Sequence, residues 1–250
     1  MTGRIERLLE HLRAEDEKAF FYERTPLLEE AWQKWEHEET GRRYALAFAY
    51  LLDNITLVLK EDELLVGTPN EIVPNEEQEA EYQRLLQNPM NQFDMQGYFG
   101  FEALGLLESK EWVERYAPAW FFCYGHHKYS IESVLEKGFS GIREFINGRL
   151  KEDALSDEQI AFYENGRIIC DGIERLTGRI KDFLRGEAEK CLDEKRKKEI
   201  LCMADNFEKI PMQPACTFYQ AVQTVWFLQF INSNICGARD YAFGSMDQYL

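Results

Sequence analysis

The chain has no CxxC pair. Its six cysteines, Cys123, Cys170, Cys191, Cys202, Cys216 and Cys236, are scattered. That spacing fits reduced thiols in a cytoplasmic protein better than a disulfide framework or a zinc site. No apolar run approaches the roughly 18 to 20 residues that cross a bilayer. The opening MTGRIERLLEHLRAEDEK is too charged for a signal peptide. Positive charge is also short: 29 Lys and Arg stand against 45 Asp and Glu, a formal net charge of −16. That balance argues against non-specific binding to nucleic acid or anionic membrane, and otherwise means solubility. Common catalytic signatures are missing too, with no GxGxxG, P-loop, HExxH or GxSxG. There is no internal repeat, low-complexity tract or clear linker.

What is present is a helical pattern. With 250 residues, 45% hydrophobic and 14% aromatic, the chain can build a sizeable core in one or two domains. Thr25-Pro26 reads as an N-cap followed by a proline at the first helical position. Tyr44, Phe48, Leu51 and Ile55 repeat at helical spacing. Glu63 to Gly67 reads as a strand or an extended turn, and 68–98 as loops with one short helix. Ser130 to Gly138 predicts a two-turn helix capped by the serine and stopped by the glycine. Ser156-Asp157-Glu158-Gln159 is a capping box opening a long helix with the stripe Ile169, Ile173, Leu176, Ile180 and Phe183. Glu187 to Asn206 reads as a charged outer helix. Thr217 to Gln220 is a second capping box. The helix behind it carries Phe218, Val222, Val225 and Leu228 on one face, with Trp226, Phe227 and Phe230 on the others. A helix apolar nearly all round must be buried on several sides, and 250 residues supply little protein to do it.

Three stretches are candidates for chemistry. In Phe121-Phe122-Cys123-Tyr124-Gly125-His126-His127-Lys128-Tyr129-Ser130, adjacent histidines point in different directions and make no two-ligand metal site by themselves. Either one histidine is buried and hydrogen-bonded in a plain loop, or the glycine turn and the following helix N-terminus present it to an anionic or hydroxyl-bearing substrate. In Ala238-Arg239-Asp240-Tyr241-Ala242-Phe243-Gly244-Ser245-Met246-Asp247, Arg239 and Asp240 either pair on a surface loop, or Arg239 holds a carboxylate bidentately in a loop that lines a cavity. The cysteines read as small core residues, and none is assigned as catalytic.

Several segments together resemble the pyruvate formate-lyase-like glycyl radical enzymes, in their dehydratase and lyase branch. Arg24-Thr25-Pro26-Leu27-Leu28, Arg42-Arg43 and Glu63-Leu64-Leu65-Val66-Gly67 are similar to the family's amino-terminal pattern. Gly125-His126 through Val134-Leu135-Glu136-Lys137-Gly138 is similar to a family stretch GH-x-x-x-D-Y-x-x-V-L-x-x-G. Phe162-Tyr163-Glu164, Arg196 to Leu201 and Thr217 to Gln223 follow in family order. Gly244-Ser245-Met246-Asp247-Gln248-Tyr249-Leu250 resembles GR-x-DQYL. The resemblance covers nearly the whole chain.

The resemblance implies a mainly α chain: the amino-terminal helical layer and first wall of an α/β barrel, with 1–250 as the amino-terminal part of one such domain. Family members are several hundred residues longer. Their thiyl-forming cysteine loop and their glycine loop of RVxGY type do not occur here. The expectation is an amino-terminal fragment, inactive alone, with no catalytic residue of its own and no directly bound cofactor. In full-length relatives a separate S-adenosylmethionine and iron–sulfur activating enzyme installs the glycyl radical. Hydrogen abstraction then leads to lyase, dehydratase or formate acetyltransferase-like chemistry on a small polar molecule in anaerobic cytoplasm. The implied substrate-binding residues are His126, Ser130, Arg239 and Ser245. Ser130 stands where many members have aspartate, and Ser245 where arginine precedes DQYL. Implied partners are the substrate, the activating enzyme, and a carboxyl-terminal half or a second copy. The alternatives are one chain of a split enzyme and a non-catalytic helical scaffold.

Overall fold

In the computed structural model, the described residues are 3–14, 21–70, 72–86, 123–124, 130–236, 238–239 and 242–249. They form α1 (Gly3–Ala14), α2 (Phe21–Lys34), α3 (Thr40–Asn54), α4 (Glu76–Leu86), β1 (Cys123–Tyr124), α5 (Ile131–Arg149), α6 (Asp157–Lys190), α7 (Glu194–Asn206) and α8 (Phe218–Phe230). A π-helical turn (Ile231–Ile235), β2 (Ala238–Arg239) and α9 (Met246–Tyr249) follow. The mainly α expectation holds.

The 34-residue α6 is the spine. Ser156 accepts from the Gln159 amide (3.3 Å) while the Gln159 side chain accepts from the Ser156 amide (2.9 Å), which is the expected capping box. Ile173, Leu176, Ile180 and Leu184 are buried along one stripe, flanked by the partly buried Ile169 and Phe183. Helix α3 crosses this stripe at small residues: a Cβ on Gly172 would meet the Cβ of Ala49 at 3.1 Å. Arg179 caps the carboxyl end of α3, donating to the carbonyls of Leu52 (2.5 Å) and Ile55 (2.7 Å). These are the carbonyls a helix end leaves unpaired.

Four expectations need correction. Helix α2 begins at Phe21, so Thr25 is not a cap and Pro26 lies inside the helix. Arg24 and Thr25 are buried, and their burial carries the helix through a residue that interrupts it by removing one hydrogen bond. Gly138 ends the first turns of α5, as expected, but a second helical run starts at once, because Phe139 and Ser140 donate to the carbonyls of Pro211 and Met212 (both 2.9 Å). The stretch 187–206 breaks at Cys191, where Asp193 caps a new helix by accepting from the amides of Lys195 and Arg196. The inner face of that helix buries Ile200, Met203 and Ala204. The second capping box is half formed: Thr217 accepts from the Gln220 amide, but the Gln220 side chain turns to the amide of Cys216.

Segment 63–67 bends at Leu64 and Leu65 and, among the described residues, forms no strand. Its carbonyls take side-chain donors instead, Glu63 from Arg196 (2.6 Å) and Leu64 from the Tyr219 hydroxyl (2.5 Å). Nearby, an ion network ties α1 to the body. Arg7 pairs with Asp62 (2.5 Å), Arg4 with Glu199 (2.6 Å), and Arg196 with Glu199 (3.3 Å). Hydrogen bonds from Arg7, with Arg4 beside it, hold the Asp62 carboxyl below its usual range. Arg4, then Arg196, does the same to Glu199. Carboxyls with lowered folded pKa add stability above their ordinary values and lose it as the pH falls through the lowered ones. Acidification below the ordinary carboxylate range is therefore expected to release α1 first. In hydrogen exchange this appears as early labelling of residues 3–14, and Asp62→Asn reproduces it at neutral pH. Equal labelling of α1 and α6 in acid would refute this anchoring.

Candidate functional site

The apolar helix α8 delivers the chain to the candidate site. Val225, Phe227, Leu228 and Phe230 are buried, whereas Phe218 and Trp226 are exposed. The helix is covered on several sides but not on all, as expected for so apolar a helix with little protein around it. Its carboxyl end widens into the π-helical turn, marked by the Cys236 amide donating to the Ile231 carbonyl (2.8 Å). Short π segments inside α-helices occur often at functional sites. Asn232 and Ile235 are buried within this turn.

Directly after it, β2 pairs in parallel with β1, in the register Cys123 with Ala238 and Tyr124 with Arg239. Residues far apart in sequence thus meet as adjacent strands, at the end of a helix, which is how a parallel sheet begins. In open α/β sheets, ligands bind beyond the carboxyl ends of parallel strands. Arg239 is at that end, opposite Tyr124. His126 lies two positions past Tyr124 in the sequence but outside the described residues, as do His127 and Asp240.

The two serines are placed differently. Ser130 is exposed and precedes α5, but its hydroxyl makes no cap hydrogen bond; it pairs with the Ser133 hydroxyl at 2.8 Å. This corrects the expected cap: at ψ 65 the residue is not in the extended conformation typical of a cap. Ser245 is half-buried, and its carbonyl accepts from the Gln248 amide (2.9 Å) at the start of α9. Among the described residues no hydrogen bond joins Ser130 to Ser245.

Cys170 lies in the α6 core, and burial, then the neighbouring Asp171, pushes its thiol up to about 11. It is a protonated packing residue at neutral pH, not a thiolate nucleophile. Among the described residues no cluster of three or more His, Cys, Asp or Glu could hold a metal ion. No helix there is long and apolar enough to cross a membrane.

Sequence reasoning missed two buried polar side chains in this region. Gln223 on α8 is fully buried and holds the backbone of Val66 with both ends of its amide. Arg24 on α2 is 2% exposed and donates its Nε to the Ile235 carbonyl (2.7 Å). A glutamine among apolar helix residues, and an arginine before Thr-Pro, were the available signals. Neither names its partner.

Comparison with known proteins agrees with this geometry. The profile of a family described as PFL-like, pyruvate formate lyase-like, matches residues 1–250. An isethionate sulfite-lyase from Bilophila wadsworthia is 35% identical over 129 residues, covering 49% of this chain and 15% of that protein. A trans-4-hydroxy-L-proline dehydratase from Clostridioides difficile is 27% identical over 273 residues, covering 91% of this chain and 34% of the dehydratase. A solved structure concerned with 1,2-propanediol dehydration in Roseburia inulinivorans superposes with a TM-score of 0.77 at 21% identity, over all of this chain and 34% of the other. The chain thus spans about a third, or less, of the length of these relatives.

Proposed function

Because the chain belongs to the pyruvate formate lyase-like family, we propose that residues 1–250 are the helical layer and first barrel wall of a glycyl radical lyase or dehydratase. The observation that carries the reading is the superposition of the whole chain on a third of a diol-dehydration protein. The relatives named above act on small polar molecules: a sulfonate, a hydroxylated amino acid and a diol. A substrate of that class, with a hydroxyl and in some cases an anionic group, is what an arginine at the carboxyl end of β2 and a histidine two positions past β1 in the sequence would bind.

In this reading Arg239 orients the polar or anionic end of the substrate, and His126 hydrogen-bonds its hydroxyl. Ser130 and Ser245 supply neutral hydrogen bonds where relatives carry charge. The glycyl radical, installed by an S-adenosylmethionine and iron–sulfur activating enzyme, supplies hydrogen abstraction when present. Cys170 does not fit the thiyl-forming partner, because it is locked in a helix core as a protonated thiol, and the family's RVxGY-type glycine loop is not among these residues. Their part is to wall off and orient the substrate, while a carboxyl-terminal portion, on the same chain or a separate one, completes the barrel. The reading places the protein in the cytoplasm of an anaerobic metabolism.

The test is anaerobic treatment with a family activating enzyme, S-adenosylmethionine and a reductant. The expected result is no radical signal by electron paramagnetic resonance and no turnover of 1,2-propanediol, trans-4-hydroxy-L-proline or isethionate by residues 1–250. The product of the complete reading frame is expected to give the radical signal and to turn over a small hydroxylated substrate. Turnover by residues 1–250 alone overturns the fragment assignment. Absence of any radical in the complete product overturns the enzyme assignment.

A further inference from the structure

We infer that Arg24 is a positioning residue for the substrate wall: it fixes the point at which the apolar helix leaves the helical layer and becomes the strand that carries Arg239. The inference rests on the reading of β1 and β2 as that wall.

Burying a guanidinium in an apolar core is costly unless its donors and its charge are both answered. Arg24 is buried to 2% exposure at a place that supplies an acceptor and a partial negative charge. Its Nε donates to the Ile235 carbonyl at 2.7 Å. Ile235 is the last residue of the π-helical turn, so its carbonyl belongs to the negative end of the run from Phe218 to Ile235. Helix carboxyl ends carry unpaired carbonyls and a partial negative charge, and a cation there is stabilised. Leucine or methionine would fill the space between α2 and the π-helical turn without the desolvation cost. What a guanidinium adds is a fixed direction for one backbone carbonyl.

That carbonyl is three residues before Ala238 and four before Arg239, which stands in register with Tyr124. Three residues span at most about 10 Å when extended, too little to absorb a displaced helix end without moving the strand. The π turn sharpens the point. Its extra residue shifts the helix exit relative to an α-helical end, and the Arg24 bond is made to the last residue of that turn. Displacement at Ile235 therefore passes directly into the strand pairing that places Arg239.

The test is hydrogen exchange on the product of the complete reading frame, as wild type, Arg24→Met and Arg24→Lys. Loss of a hydrogen bond from a charged donor is expected to speed exchange of peptides spanning 231–239 and 123–124 by about tenfold in Arg24→Met, with α6 peptides unchanged. Arg24→Lys keeps a cation and one donor at the helix end, so it is expected to restore most of the protection. It also serves as the reporting variant should Arg24→Met fail to fold. Uniform acceleration across α6 and the strands, in either variant, makes Arg24 an ordinary core residue and overturns the inference. No acceleration at 231–239 overturns it as well. The reading beneath it is tested separately by Arg239→Gln in the activated enzyme. Unchanged KM there removes Arg239 from the substrate wall and leaves the exchange result standing.

Discussion

Replacing Gly138 by alanine is expected to lower the melting temperature by roughly 10 °C, a loss of about 4 kcal/mol at 2–4 °C per kcal/mol for a chain of this size. Two effects combine. Gly138 has φ 63 and ψ 174, a region that is essentially glycine's alone and costs other residues about 1–3 kcal/mol. An added Cβ would also lie 2.6 Å from the carbonyl carbon of Met212 and 2.7 Å from that of Gln213, and closer still to the Met212 oxygen. These are backbone atoms, and they cannot swing away. Phe139 and Ser140 donate to the carbonyls of Pro211 and Met212, and Ala215 donates to Leu135 (3.0 Å), so the segment is bonded to both sides of the kink. Overpacking of this kind adds about 1–3 kcal/mol. Gly178→Ala in α6 is the control, since its Cβ would meet nothing within 4 Å. There alanine is expected to stabilise by about 0.5–1 kcal/mol. Equal effects at the two positions, measured by thermal or urea unfolding, would show that the kink geometry at Gly138 carries no special constraint.

What the sequence made legible was local. The Ser156 box and the stripe through Ile173, Leu176 and Ile180 depend on contacts three or four residues apart, and both are where the pattern put them. The stop at Gly138 was legible for the same reason. The immediate restart was not, because its first amides are satisfied by carbonyls more than 70 residues away. Thr25-Pro26 misled because local cap chemistry there is overruled by burial of Arg24 and Thr25. The partners of Arg24 and Gln223 lie 211 and 157 residues distant, and no window of sequence contains both ends of either bond.

The candidate site shows the same division. The order of its stretches along the chain was legible through family likeness. Their meeting depended on parallel pairing of β1 with β2, a non-local contact that periodicity cannot report. Ser130 was assigned a cap on residue type alone, yet its hydroxyl bonds Ser133 instead. Within the site, position came from the family pattern and geometry from long-range polar bonds.

Gln223→Leu is the second large effect, and its consequence reaches the face of α8. The buried amide accepts from the Val66 amide and donates to the Val66 carbonyl, both at 2.9 Å, as a neighbouring strand would. Leucine leaves two buried backbone groups bare, at about 1–3 kcal/mol each, against a gain of about 1 kcal/mol from its apolar surface. The expected net loss is about 3 kcal/mol. Segment 63–67 is expected to loosen with it, uncovering the Trp226 side that Gly67 lies against. Gln223→Glu separates hydrogen bonding from shape. A protonated glutamate offers the same donor and acceptor; an ionised one offers two acceptors to a site that needs a donor. Its folded pKa is therefore raised above the ordinary value of about 4.3. Relative to wild type, this variant is expected to be near normal below that value and to lose stability as the pH rises through the folded pKa. The trend is opposite in sign to the loosening of α1 in acid. Urea midpoints at acidic and neutral pH for wild type, Gln223→Leu and Gln223→Glu read it directly. A glutamate variant that tracks wild type at every pH would mean that the Val66 backbone is held by something other than this amide.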